Sequence, residues 1–130
     1  MKVLIAEDNA IWRQLLKQNV LSWGYEPVVA EDGEQAWKIL QQTGAPRLAV
    51  LDWQMPNMDG IEATHRIRGR QQSRRVPIVA LTADAMVGTL DRCLAAGMDD
   101  YLTKPLEAKR LEAVLDRFVG SFDESSAKTA

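Results

Sequence analysis

The sequence predicts an α/β fold with a five-stranded parallel sheet, and three observations carry that prediction. Short apolar runs alternate with amphipathic stretches five times along the chain, the pattern of strands joined by crossover helices. One run, Leu48 to Leu51, has no polar break, as a strand buried on both faces would read. The runs also stop abruptly in polar residues, at Glu7-Asp8, Asp52, Thr82 and Lys104. In a parallel sheet, such strand ends are where open α/β folds place their chemistry.

Taken in order, Val3 to Ala6 reads as the first strand. Asn9 can cap a helix carrying Ile11, Trp12, Leu15, Leu16, Leu21 and Trp23, which Gly24 ends. Val28 to Ala30 is a second strand, followed by the Asp32-Gly33 turn. A helix from about Gly33 to Gln42 turns Ala36, Ile39 and Leu40 inward, with Trp37 beside them. The third strand, Leu48 to Leu51, ends at Asp52 in a loop rich in turn residues, Pro56, Asn57, Asp59 and Gly60. Ile61, Thr64 and Ile67 mark a helix that dissolves into the polar run GRQQSRR. Val76 to Leu81 is the fourth strand and Thr82 closes it. A helix over roughly Asp84 to Ala96 carries Met86, Val87, Leu90, Cys93 and Leu94, with Gly97 as its cap. Tyr101 and Leu102 make a brief fifth strand that leads into Lys104. The last helix, about Glu107 to Val119, is amphipathic through Leu111, Val114, Leu115 and Phe118. Residues 1–120 thus read as one domain, and 121–130, small and polar, as a flexible tail or linker stub.

Composition sets the outer limits. A chain of 130 residues with 46% hydrophobic and 26% charged residues suits one globular domain with a real core. A net charge of -2 gives no pull toward nucleic acid or an anionic membrane. The single Cys93 cannot form an internal disulfide, which fits a reducing, cytoplasmic setting. The apolar part of the MKVLIAEDN start is too short for a signal peptide, and no run is long enough to span a bilayer.

Right-handed crossovers leave few topologies for five such units. The common one has strand order 2-1-3-4-5, doubly wound with five helices, the flavodoxin-like arrangement, whose crevice opens beside strands one and three. Those strands end in Glu7-Asp8 and in Asp52. Thr82 and Lys104 end strands four and five at the same rim. Three carboxylates gathered there would repel one another unless a cation intervened. A hard divalent ion with oxygen ligands answers this, and Mg2+ suits carboxylates, waters and a phosphate oxygen. With a lysine and a hydroxyl beside them, these are the parts that spread charge over a phosphoryl group in transfer. Asp52 is then a nucleophile toward phosphorus. No Gly-rich P-loop is present, so the phosphoryl donor must come from elsewhere.

The Glu7-Asp8 pair, LDWQMPNMDG around Asp52, ALTAD with Thr82 and GMDDYLTKP with Lys104 stand in order, each at an expected strand end. With these pieces the chain, from Lys2 to about Val119, resembles the receiver domains of two-component response regulators. The resemblance implies Asp52 as phosphoacceptor, with Asp8 and Asp52 on Mg2+ (Mn2+ being the alternative ion), Glu7 acting through water and the Gln54 backbone carbonyl as a further ligand. It implies that Thr82 and Lys104 hold phosphoryl oxygens and that Thr82 and Tyr101 form a switch biasing the surface of the fourth helix, fifth strand and fifth helix. Gln54 and Asp84 would tune dephosphorylation. The implied donor is a histidine kinase or a histidine phosphotransfer protein, with an output partner the sequence does not name and a homodimer on phosphorylation. Many relatives have two aspartates where this chain has Glu7-Asp8.

A phosphatase of the haloacid dehalogenase type would also use a strand-end aspartate, Mg2+, a Thr and a Lys. It usually needs a second aspartate two residues on, where this chain has Gln54. An interaction module without phosphate chemistry is the other alternative, and the intact set Asp8, Asp52, Thr82 and Lys104 argues against it. His65 reads as a surface histidine, the run Arg66, Arg68, Arg70, Arg74 and Arg75 as solvated, Cys93 as a core thiol, and Met55 and Met58 as packing. Trp53, beside Asp52, reads as a partly exposed aromatic without chemical role.

Overall fold

The structure, a computed structural model, describes residues 1–42, 44–55, 57–70, 76–83, 87–104 and 107–129. Five strands, β1 (Lys2–Ala6), β2 (Glu26–Ala30), β3 (Leu48–Asp52), β4 (Ile78–Thr82) and β5 (Asp100–Thr103), alternate with five helices. These are α1 (Ala10–Ser22), α2 (Gly33–Leu40), α3 (Gly60–Arg70), α4 (Thr89–Ala96) and α5 (Ala108–Thr129). The sheet order is β2-β1-β3-β4-β5, and every pairing is parallel. The predicted topology is the observed one.

Alternation along the strands builds two cores. Leu4, Ala6, Ala49, Leu51, Ile78 and Ala80 point to the face covered by α2, α3 and α4, where Ala36, Ala63, Ile67 and Cys93 meet them. Val3, Ile5, Leu48, Val50, Val79 and Leu81 point to the other face, packed by Leu16 and Val20 of α1 and by Leu111 and Leu115 of α5. All residues of β3 and β4 are buried, which is why those runs carry no polar break before the rim. Asn9 caps α1 as expected, its side chain accepting from the amides of Ile11 and Trp12 at 2.9 and 3.1 Å.

Several local expectations are corrected. In α1 the buried residues are Leu16 and Val20, whereas Ile11, Leu15 and Leu21 are exposed. A helix of this length rests on the sheet along a narrow stripe, and its remaining apolar residues face outward. The fourth helix starts at Thr89, not near Asp84. Its N-cap is Gly88 in the left-handed region (φ 87°), a conformation that breaks the helix without cost for glycine. Residues 84–86, Asp84 and Met86 among them, lie outside the described residues. Val87 is fully exposed, and the inward stripe of α4 is Thr89, Cys93 and Ala96, small residues that let the helix sit close. Leu90 and Leu94 face outward instead. The last helix continues to Thr129, past the expected end near Val119, because one glycine at 120 costs a helix only about 1 kcal/mol.

The basic run is also not uniformly solvated. Arg66 is exposed, 3.2 Å from the Glu62 carboxylate, but Arg68 is largely enclosed. It donates to Gly97 O at 2.8 Å, Val76 O at 2.7 Å and Asp99 Oδ2 at 3.1 Å. Asp99 Oδ2 also accepts from the Ile78 amide at 2.8 Å, so this pair ties α3 to the start of β4 and the end of α4. Arg74 and Arg75 lie outside the described residues. His65 is exposed and Cys93 is a buried free thiol.

Candidate functional site

The loops leaving β1, β3, β4 and β5 surround one cleft of about 470 Å³, whose lining includes Asp8, Asp52, Thr82, Arg92 and Lys104. The backbone of Glu7 continues the β1 ladder, its amide donating to Ala30 O at 3.1 Å, so its side chain is fully buried while that of Asp8 is exposed. The turn is fastened from α1. Arg13 Nη1 donates to the carbonyls of Glu7 and Asp8 at 2.9 and 3.3 Å, and Nη2 lies 3.8 Å from Glu31 Oε1.

Asp52, the last residue of β3, is paired with Leu81 in the ladder, and Trp53 N donates to Leu81 O at 2.9 Å. Its carboxylate is therefore set at the rim, buried. Oδ1 accepts from the Gln54 amide at 3.2 Å and Oδ2 lies 3.1 Å from Lys104 Nζ. Lys104 follows β5, and its amide donates to Thr82 O at 2.9 Å. Its ammonium also meets Glu7 Oε1 at 2.5 Å, so it bridges the ends of β1 and β3. Thr82 closes β4, buried, opposite Thr103 of β5.

One carboxylate oxygen from each of Glu7, Asp8 and Asp52 lies within 4.8 Å of the others. Three carboxylates thus crowd together, and two of them, Glu7 and Asp52, share the Lys104 ammonium. Burial first, then the neighbouring Asp52 carboxyl, pushes Glu7 up to about 7. Burial opposes the charge on Lys104, but the Glu7 and Asp52 carboxylates outweigh it and raise its pKa. Among the described residues, Glu7 Oε1 is buried with no well-aligned hydrogen-bond donor and lies against the Lys104 ammonium. A pocket of hard oxygen donors short of positive charge fits a divalent cation of the Mg2+ kind, with Glu7, Asp8 and Asp52 as the groups able to hold it.

The structure therefore brings Glu7, Asp8, Asp52, Thr82 and Lys104 together, with Gln54 in the lining. Tyr101 is half-buried on β5 and packs against the core under α2, α3 and α4. Asp84 lies outside the described residues. Sequence reasoning missed Arg13 and Arg92, because nothing in a lone arginine on an amphipathic helix tells which way it turns. It also passed over Trp12, whose ring centroid is 5.7 Å from Lys104 Nζ.

The chain belongs to the response regulator receiver domain family, whose model matches residues 3–116, a signalling family of two-component systems. It is 29% identical over 124 residues to chemotaxis protein CheY1 of Helicobacter pylori, covering 95% of this chain and 100% of that protein. The receiver domain of sensor histidine kinase PA1611 from Pseudomonas aeruginosa, crystallised with magnesium in its active-site cleft, is 37% identical. It superposes with a TM-score of 0.82 over 92% of this chain and 97% of its own. The receiver domain of Ssk1 from Saccharomyces cerevisiae, in complex with the histidine phosphotransfer protein Ypd1, is 32% identical with a TM-score of 0.81, covering 89% and 86%. The chain spans only 8% of one hybrid histidine kinase it matches. Membership in this family decides against the haloacid dehalogenase alternative. No helix among the described residues is long and apolar enough to cross a membrane.

Proposed function

We propose that this receiver domain accepts a phosphoryl group on Asp52 from a phosphohistidine partner, a histidine kinase or a phosphotransfer protein. One observation carries the reading: Lys104 Nζ lies 3.1 Å from Asp52 Oδ2 inside a cleft whose acidic residues converge. An Asp52 oxygen attacks phosphorus, the P–N bond to the donor imidazole breaks, and its electron pair returns to the ring nitrogen. Lys104 and the Thr82 hydroxyl take the phosphoryl oxygens as charge moves onto them. Glu7, Asp8, Asp52 and the Gln54 carbonyl would hold Mg2+, or Mn2+ in its place, and the ion supplies neutralisation of the phosphoryl and carboxylate charge. Water attack on phosphorus later returns the Asp52 carboxylate and inorganic phosphate, with Gln54 and Asp84 setting water's access. Phosphorylation draws Thr82 toward Asp52 and lets Tyr101 turn inward, biasing the surface of α4, β5 and α5 toward an output partner or a second copy. Residues 1–120 act as the domain and 121–130 as the tail or linker, in the cytoplasm.

The test is incubation with Mg2+ and a small acyl phosphate donor, with intact mass measured before and after hydroxylamine. A hydroxylamine-labile phosphoryl adduct absent from Asp52→Asn is expected. No adduct, with no response to the cation, would overturn the reading in favour of a phosphate-independent interaction module.

A further inference from the structure

We infer that Arg92, held against the face of Trp53, is a positioning residue for the phosphoryl group entering the cleft. The inference rests on the phosphoacceptor reading above and adds a residue to it. Arg92 sits on the first turn of α4 with its side chain exposed, and it lines the cleft shared by Asp52, Thr82 and Lys104. Its guanidinium carbon is 5.1 Å from the centroid of the Trp53 ring, a cation–π distance. The ring is itself fixed. Its indole N–H donates to the Sδ of buried Met98 at 3.3 Å, and the Trp53 amide is bonded to Leu81 O. A long, flexible side chain is thereby aimed in advance. No carboxylate among the described residues forms an ion pair with it.

Charge makes the case for a role. Lys104 is claimed by two carboxylates at once, Glu7 and Asp52. Three carboxylates against one ammonium leave the pocket negative, and a divalent cation only brings it to balance. A phosphoryl dianion arriving there meets no surplus of positive charge from these groups. Among the described residues lining the cleft, Arg92 is the cation that the carboxylates do not claim. Its planar fork matches two phosphoryl oxygens and stays charged at every working pH. The stack on Trp53 lowers the freedom lost when the fork engages. Trp53 is then a platform for Arg92, which explains a tryptophan beside the acceptor that otherwise has no chemical part.

The full chain is compared with Arg92→Ala, Arg92→Lys and Trp53→Phe in time courses of adduct formation from phosphoramidate with Mg2+, at low and moderate ionic strength. Arg92→Ala is expected to form the adduct roughly three- to tenfold more slowly and with a shallower salt dependence. Arg92→Lys and Trp53→Phe fall between it and the parent. Equal rates and equal salt dependence in Arg92→Ala would overturn the inference while leaving the phosphoacceptor reading intact. A second measurement is independent of chemistry at Asp52. The Arg92 Nε–H resonance of metal-free Asp52→Asn protein is followed as inorganic phosphate is added. A saturable shift supports the anion contact, and an unmoved resonance counts against it, whether or not the parent forms an adduct.

Discussion

At the scale of single residues, Glu7 is the group whose environment most opposes its charge. Its carboxyl is fully buried beside Asp52, and its pKa is pushed up to about 7 from 4.5. The folded chain therefore keeps a proton there that the unfolded chain releases. That proton's contribution to stability is complete below 4.5 and is lost as the pH rises through about 7. In urea unfolding with divalent cations chelated, the free energy of unfolding should fall across this window, by an amount on the order of 3 kcal/mol at most. Glu7→Gln should flatten the profile, and adding Mg2+ to the parent at alkaline pH should restore what was lost. A parent profile without this slope in chelator would contradict the electrostatic picture of the site. The acidic pair, Asp52 and Lys104 were legible in the sequence because each ends an apolar run. That Lys104 would bridge Glu7 and Asp52 was not, since bond partners across three chain segments leave no trace in local spacing.

At the scale of elements, the loop after Asp52 is held by the helix two elements earlier. Asp32 caps α2 through the Gln35 amide at 2.8 Å, and its other oxygen accepts from Asn57 Nδ2 at 2.9 Å. The Gly33 amide donates to Met58 O at 3.0 Å, so close that a Cβ at 33 would collide with that carbonyl oxygen. The Gln35 amide, and after it Asn57, hold the Asp32 carboxyl below its ordinary 3.8. Its contribution to stability is therefore whole above 3.8 and lost as pH falls through the lowered value. Asp32→Ala should cost about 1–2 kcal/mol in urea unfolding at pH 6, and the difference from the parent should shrink at pH 3. An equal difference at both pH values would mean that the carboxylate charge is irrelevant to the anchor. The Asp32-Gly33 pair was readable as a turn, but its grip on Asn57 and Met58 was not. Where the helix readings failed, in α1 and α4, the cause is common. Helical spacing finds an apolar stripe but not which side of it lies on the sheet, and in α4 that side is made of Thr89, Cys93 and Ala96.

At the scale of the whole molecule, strand order was legible because five strand-helix units with right-handed crossovers leave few topologies. The division of each strand's residues between two cores emerges only in the structure, where alternation with a period of two sorts them. The sheet is a partition: Ile5 belongs to the core under α1 and α5, and Ile78 to the core under α2, α3 and α4. The two side chains share no cluster, so damage on one face should not be felt on the other. Ile5→Val and Ile78→Val should each cost about 0.5–1.5 kcal/mol, and the double variant should equal their sum within about 0.5 kcal/mol. Urea unfolding of the parent, both single variants and the double measures this directly. An interaction energy well above that limit would show that the faces repack together. The outcome bears on function, because the site is built at the rim where both faces end. Glu7, Asp52, Thr82 and Lys104 come from strands that each core supports on one side only. If the faces respond independently, the Asp52 carboxylate is held in place by two separate scaffolds, and the proposed switch through α4 and β5 could shift one without loosening the other.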